Sequence, residues 1–69
     1  MLVVINQDLT PDSTEGIPEE CLREIRGQIV KVKPDSIYSK EGKVLLVHKK
    51  FPEYFFLREW YKTLEEASK

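Results

Sequence analysis

The chain contains one cysteine and one histidine, Cys21 and His48, whose side chains are of the types that support nucleophilic catalysis. A thiol and an imidazole that meet in space can act as nucleophile and general base. Such a pair also needs a third group that orients the base, and a cleft. The sequence pattern supplies neither, so we predict that Cys21 is a packed residue, that His48 is structural or half-exposed, and that the chain is not an enzyme.

Patterns for other ligands are also missing from the sequence. The carboxylates of Glu19-Glu20 and Glu65-Glu66 are adjacent on predicted helices, so the members of each pair point in different directions and do not suit hydrolase chemistry. The three glycines are too scattered for a phosphate-binding loop, and no side chains have the spacing of a metal site. We therefore predict neither a cofactor nor a metal.

Basic and aromatic residues in the second half of the chain offer a different chemistry, that of a binding surface. Large rings are enriched where proteins meet proteins, and so short a chain has little core in which to bury them. We predict a partner-binding patch of rings flanked by positive charges, which docks against an acidic-rimmed protein. Its members are Tyr54, Phe56, Arg58, Trp60, Tyr61, Lys49 and Lys50, with Phe51 in the same apolar patch.

The partner predicted for this patch is another protein, a larger complex in which the chain is an accessory subunit, or a second copy in a homodimer. A structural role for Trp60 stays open, in which it plugs one end of a sheet with Leu57 and Leu64. For Tyr54 and Tyr61 an interface role is favoured, because a phenol hydroxyl tolerates the rim of an interface.

Single-stranded nucleic acid is the alternative partner, and its predicted site is Lys31, Lys33, Tyr54 and Phe56. If these rings point outward, bases can stack on them while phosphates meet the lysines. Rings in a small protein more often build the core, and lysines on strands protect sheet edges. The isoelectric point of about 5.8 is also low for a nucleic-acid binder. We rank this function below protein binding.

The composition predicts one small globular domain over residues 1–69. Hydrophobic residues make up 41% of the chain and charged residues 33%, which excludes a disordered chain. The longest apolar runs are four residues, at 2–5 and 44–47, far short of a membrane span. Met1 leads into the first run without the basic residues of a secretory signal. With a single thiol, these features predict a cytoplasmic protein without membrane contact.

The charges are spread unevenly along the chain. Residues 1–20 hold five acidic and no basic side chains, whereas residues 21–58 hold nine basic and four acidic ones. One interpretation is that the acidic first segment lies over the basic strands and neutralises them.

Short strands separated by turns account for most of the chain. Strand composition or alternation is found at 2–5, 28–33, 43–49 and 54–57, with a loop over 6–16. In the second segment Val30 and Val32 share one face, opposite Ile29, Lys31 and Lys33. The segment at 43–49 is apolar on both sides, so we predict that it is central and covered on both faces.

Two helices are predicted. The first spans about 17–27: Pro18 suits the first helical position, Gly27 can end the helix, and an apolar stripe follows its inner side. The stripe consists of Cys21, Leu22 and Ile25. Residues 57, 60, 61, 64 and 67 have helical spacing, which predicts a C-terminal helix over 58–67. A strand through Tyr61 is the competing interpretation.

The fold class that follows is mostly β, a small α+β domain. It is an SH3-like barrel or a three-to-five-stranded antiparallel sheet, with a short helix before the second strand and a C-terminal helix. Residues 27–64, a β-meander plus helix, would form its core. Part of this segment resembles SH3-like small β-barrels, in which a fourth strand leads into a helical turn. The matching residues are Gly27, Ile29 and Val32, then Gly42, Lys43, Val44 and Leu46, then Tyr54–Leu57. The resemblance implies a binding or accessory role as a ligand-peptide dock, a nucleic-acid module or a small subunit of a larger enzyme.

Overall fold

The computed structural model describes residues 1–36 and 39–68 of the chain. The strands are β1 (Leu2–Ile5), β2 (Ile29–Pro34), β3 (Val44–Leu46), β4 (Phe55–Phe56) and β5 (Tyr61–Thr63). The helices are α1 (Glu19–Ile25) and α2 (Leu64–Ala67), and short 3₁₀ helices cover Ser39–Glu41 and Arg58–Trp60.

The five strands form one curled antiparallel sheet, a half-barrel, in the order β4-β3-β2-β1-β5. Strand β2 links the two parts of the sheet. Its Val30 pairs with Val3 of β1, and its Val32 pairs with Leu46 of β3. The two ends of the chain meet where Ile5 of β1 pairs with Tyr61 of β5. The predicted mostly-β, small α+β fold class is confirmed.

The alternation in β2 defines the two faces of the sheet. Val30 and Val32 are buried, whereas Ile29, Lys31 and Lys33 are exposed, as the sequence predicts. We call the buried side the inner face and the solvent side the outer face. Because side chains alternate between the two faces along each strand, the strand pairing also assigns the side chains of the neighbouring strands to the inner or outer face.

Helix α1 packs its apolar stripe into the core, where Cys21, Leu22 and Ile25 are buried. Pro18 is the N-cap of the helix and does not occupy the first helical position, which corrects the prediction by one residue. Its carbonyl accepts hydrogen bonds from the N–H groups of Cys21 and Leu22. Gly27 follows the helix with φ +69°, in the left-handed region that glycine adopts at low cost.

An arginine joins the long β1–α1 connection to the helix. Arg26 donates from Nη1 and Nη2 to the two carboxylate oxygens of Glu19, over 2.7 and 2.6 Å. Its Nε donates to the carbonyl oxygen of Leu9 at 2.7 Å. The side chains of Leu9 and Ile17, from the same connection, both belong to the buried core.

Two predicted strands are shorter than expected. Strand β3 covers only Val44–Leu46 of the segment 43–49, and β4 covers only Phe55–Phe56 of the segment 54–57. Strand β3 is central, between β2 and β4. The prediction that both faces of this segment are covered is wrong, because Leu45 is half-buried and Val47 is 39% exposed.

The predicted helix over 58–67 is wrong in its first half. A 3₁₀ helix covers Arg58–Trp60, strand β5 follows at Tyr61–Thr63, and only Leu64–Ala67 are α-helical. The competing interpretation, a strand through Tyr61, is confirmed. The reason is tertiary, since β5 pairs with the edge of β1 that β2 leaves free and so satisfies its backbone groups.

Candidate functional site

Three of the rings predicted to bind a partner lie in the core. Phe56 is fully buried, and Trp60 and Tyr61 are only 7% and 4% exposed. Trp60 stacks on Phe55, with ring centroids 5.9 Å apart, and meets Phe56 edge to face at 6.2 Å. The predicted exposure of Phe56, Trp60 and Tyr61 is therefore wrong. The structural alternative for Trp60 agrees with its burial against Phe55 and Phe56, but Leu64, one of its two predicted partners in that role, is 40% exposed.

Arg58 is engaged within the fold. Its guanidinium lies 4.9 Å from the Tyr61 ring centre, donates from Nη1 to the Tyr61 carbonyl oxygen at 3.0 Å, and forms an ion pair with Glu66. The Tyr61 hydroxyl in turn donates to the Gly42 carbonyl oxygen at 2.5 Å. These contacts join the 3₁₀ helix at Arg58–Trp60, β5 and α2, which is a structural role for Arg58.

The remaining predicted rings line a groove on the α1 side of the molecule. Half-buried Phe51 and Tyr54, with exposed Pro52, form one wall. Opposite them stand carboxylates of α1, and the groove, which is open to solvent, has a volume of about 390 Å³. Its charged members are Glu20, Glu24 and Lys50. We call this feature the α1 groove.

Local hydrogen bonds shape the ring-bearing wall. The Lys50 backbone N–H donates to His48 Nδ1 at 3.0 Å, and the imidazole packs 4.9 Å from the Phe51 ring centre. The Tyr54 N–H donates to the Pro52 carbonyl oxygen at 2.7 Å, the spacing of a γ-turn. The segment is therefore folded back on itself, with the Phe51 ring packed against His48.

An ion pair joins the two walls of the α1 groove. Lys50 Nζ donates to Glu24 Oε1 at 2.8 Å. This hydrogen bond lowers the pKa of Glu24 and raises that of Lys50. Lys49 is exposed, and it has no ion pair among residues 1–36 and 39–68.

Of the predicted patch, Tyr54 and Lys50 lie together in the α1 groove. Lys49 is the residue before Lys50 in the chain. Sequence reasoning missed the opposite wall, Glu20 and Glu24. These residues lie about thirty positions earlier in the chain, and no sequence pattern links a helix to a distant turn. Phe51-Pro52 inside a turn was the available signal, because a ring in a turn is poorly placed to enter the core.

The predicted nucleic-acid residues do not share one face. Lys31 and Lys33 lie on the outer face, where Lys33 is paired with Glu53. Tyr54 lines the α1 groove, and fully buried Phe56 has no face on which a base can stack. The expected interleaving of these two rings with the lysines is wrong, because Phe55 and not Phe56 points outward in β4.

Cys21 lies in the core and its thiol is protonated at neutral pH. Burial, with the nearby charges of Glu24 and Glu20, raises its pKa to about 11. Within the described part of the chain no hydrogen bond joins Cys21 to His48, whose imidazole is engaged by Lys50 and Phe51. The geometry gives no support to a nucleophile and base formed by this pair.

In 1–36 and 39–68, no group of three or more His, Cys, Asp or Glu side chains is placed to hold a metal ion. No helix in the same ranges has the length and apolar character needed to cross a membrane. Comparisons of the chain with protein-family models, with curated proteins and with solved structures found no match.

Proposed function

We propose that the chain is a small non-catalytic module that binds a segment of another protein in the α1 groove. The observation that carries the proposal is the position of Phe51 and Tyr54, two half-buried rings held against the charged side of α1. Rings that combine a large apolar area with a polar rim are the residues that most often anchor protein contacts.

The chemistry of the groove fits a short protein segment with both apolar and charged side chains. Phe51, Pro52 and Tyr54 supply an apolar wall, while Glu20, Glu24 and Lys50 supply charges of both signs. A volume of about 390 Å³ is at the small end of the range for ligand sites, enough for one or two side chains. The γ-turn and the Lys50–Glu24 contact pre-organise the walls, which reduces the entropy lost on binding.

The half-barrel is proposed to be an SH3-like barrel. Support comes from β2, which is shared by both parts of the sheet, and from β4, which leads into the 3₁₀ helix at Arg58–Trp60. Such a fold suits a binding domain or an accessory subunit of a larger complex, although the fold alone does not choose between these roles. A cytoplasmic location is part of the proposal and is supported by the single free thiol of Cys21.

Affinity capture from the cells that make the protein tests this function. The wild type, Phe51→Ala and Tyr54→Ala are immobilised at equal density, and retained proteins are quantified by mass spectrometry. Tyr54→Phe keeps the ring and is the matched control, and Lys40→Ala is an exposed control outside the groove. We expect a partner that the wild type and both controls retain and that both groove variants lose. A set of retained proteins that is the same for all five, with every variant folded, contradicts the proposal.

A further inference from the structure

The outer face of the sheet exposes aliphatic side chains to an unusual extent. Ile29 is 61% exposed, Leu2 is 49% exposed and Val47 is 39% exposed. The side chains of β1 and β2 that face solvent would normally be polar, since the side chains on the inner face already form the core. Contiguous apolar surface of this kind marks an interaction site in a soluble domain.

The strand register places these side chains side by side. Val4 of β1 lies opposite Ile29, and Leu2 lies opposite Lys31. Directly after β3, the Val47 N–H donates to the Lys31 carbonyl oxygen at 3.0 Å, which puts Val47 beside that lysine. Because directly opposed residues lie about 5 Å apart, the aliphatic groups form one patch with Lys31 inside it.

The charge of this patch is positive. Lys62 of β5 lies opposite Val4, at the other side of the patch from Val47. Lys31 and Lys62 are exposed and form no ion pair with any described residue of the chain, whereas the neighbouring Lys33 is paired with Glu53. None of the strand residues that point outward in β1, β2, β3 and β5 is acidic. Asp8 of the acidic first segment lines one hollow with Lys62, but the two form no ion pair.

A hollow continues the patch at its β5 end. Val4 and Lys62 line it together with Gly27 and Ala67, and this open depression has a volume of about 470 Å³. Asn6, Gln7 and Asp8 of the loop after β1 form its polar rim, and Ile5 completes its lining. An apolar side chain of a partner can enter such a hollow while its neighbours cover the flat part of the sheet, the usual arrangement of an anchor at an interface.

We propose that the outer face, through Leu2, Val4, Ile29, Val47, Lys31 and Lys62, docks an acidic protein segment that carries aliphatic side chains. The aliphatic groups of the segment cover the apolar patch, and one of them enters the hollow. Its carboxylates meet Lys31 and Lys62, whose charges have no partner in the described parts of the fold. This surface is distinct from the α1 groove, so the inference goes beyond the proposed function.

Charge and shape favour this partner over two others. A second copy that docks face to face through a two-fold axis would bring the Lys31 and Lys62 side chains of both copies together, which costs free energy by like-charge repulsion. Nucleic acid offers phosphates for the lysines but nothing that covers Leu2, Ile29 and Val47, since bases stack on aromatic rings. The net charge of −1 also opposes it.

A titration followed by backbone amide shifts tests the inference with a defined probe. The probe is a short synthetic peptide in which glutamate and leucine alternate. Matched peptides replace every glutamate by glutamine or every leucine by serine, and a thymidine oligonucleotide tests the rival partner. The protein variants are the double charge reversal Lys31→Glu/Lys62→Glu, the apolar variant Ile29→Thr, and the charge-reversal control Lys40→Glu.

We expect the glutamate–leucine peptide to shift the amides of Leu2, Val4, Ile29, Lys31 and Lys62. The double charge reversal should weaken its affinity at least about tenfold, Ile29→Thr should weaken it severalfold, and Lys40→Glu should leave it unchanged. Tyr54→Ala should also leave it unchanged, so failure of this inference and failure of the α1 groove are distinguishable.

Four results would each overturn the inference. They are no shift with the glutamate–leucine peptide, shifts confined to other surfaces, equal affinity for the glutamine-substituted peptide, and tighter binding of the thymidine oligonucleotide. A variant that shows the amide dispersion of the wild type is folded, so loss of binding in it reports on the surface.

Discussion

Lys50 Nζ donates a hydrogen bond to Glu24 Oε1 at 2.8 Å, and this contact joins the ring-bearing wall of the α1 groove to helix α1. Both side chains are exposed, so the pair adds little to stability. Its effect is geometric: the turn that carries Phe51 and Tyr54 is held at a defined distance from the helix. We therefore expect the groove to exist in the free protein.

The first prediction concerns Cys21, which lies beneath the same helix. Burial and the charges of Glu24 and Glu20 raise its pKa from 9.0 to about 11, so at neutral pH the thiolate is about a hundredfold rarer than for an ordinary thiol. Alkylation by iodoacetamide should therefore be more than about a hundredfold slower in the native protein than in denaturant. Rapid native-state labelling would revive the hypothesis of a reactive cysteine.

The second prediction separates core rings from groove rings. Trp60→Ala empties a site packed by Phe55 and Phe56 and should cost about 3–5 kcal/mol of unfolding free energy. Tyr54→Ala removes a half-buried ring and should cost about 1 kcal/mol. Urea denaturation followed by circular dichroism measures both variants. Equal losses would show that Tyr54 belongs to the core.

The third prediction compares two glycines with similar backbones. Gly42 has φ +82° and Gly27 has φ +69°, so alanine at either position costs about 1–2 kcal/mol in backbone strain. A Cβ at Gly42 would lie 2.8 Å from Cβ and Cδ of Arg58, whereas one at Gly27 would meet the flexible end of Gln7. Gly42→Ala should therefore lose about 1–3 kcal/mol more than Gly27→Ala in the same urea assay. Equal effects would contradict the tight packing of Arg58.

The fourth prediction concerns acid stability. Hydrogen bonds from the Thr63 backbone and from Arg58 lower the pKa of Glu66 from 4.5 to about 2 in the folded protein. A carboxyl group with a lowered pKa stabilises the fold above its unfolded pKa, and that stabilisation is lost as the pH falls from about 4.5 towards 2. Glu66→Gln should flatten the fall in urea midpoint across this window.

Glu65→Gln is the matched control for this prediction, since it removes a charge from the same helix without touching Thr63 or Arg58. We expect it to keep the steep fall of the wild type. If Glu66→Gln and Glu65→Gln have the same profile, the contacts of Glu66 do not account for the acid sensitivity.

Residue alternation made much of the sheet predictable. In β2 each lysine follows a valine, so the sequence states which side is buried, and Val30 and Val32 are indeed inside. The run from Tyr54 to Leu57 is apolar throughout and lacks this information. Which of its side chains point into the core is decided by the pairing of Val44 with Phe56. These residues are 12 positions apart, and their contact is seen only in the folded chain.

The C-terminal segment shows how a periodic pattern can mislead. Trp60, Tyr61 and Leu64 have helical spacing, yet the first two are buried in different elements and Leu64 is 40% exposed. A more reliable signal was present in Thr63-Leu64-Glu65-Glu66, the pattern of a capping box. The Glu66 N–H donates to Thr63 Oγ1 at 3.1 Å and the Thr63 N–H donates to Glu66 Oε1 at 3.0 Å, so the helix begins only after Thr63.

The α1 groove lay beyond sequence reasoning for a related reason. Its walls come from α1 and from the segment before β4, which are brought together by the packing of Leu22 and Ile25 against the inner face. Local patterns report which residues are apolar, but they do not report which surface residues become neighbours.

Site-specific photo-crosslinking in the cells that make the protein tests the central claim most directly, because it captures whichever protein occupies the groove. A photoreactive phenylalanine analogue is placed at Tyr54 in the α1 groove or, as a control, at exposed Lys40 outside it. Protein binding in the groove predicts a discrete protein adduct from position 54 that position 40 does not give and that Phe51→Ala removes. No adduct from position 54, or the same adducts from both positions, would contradict the account.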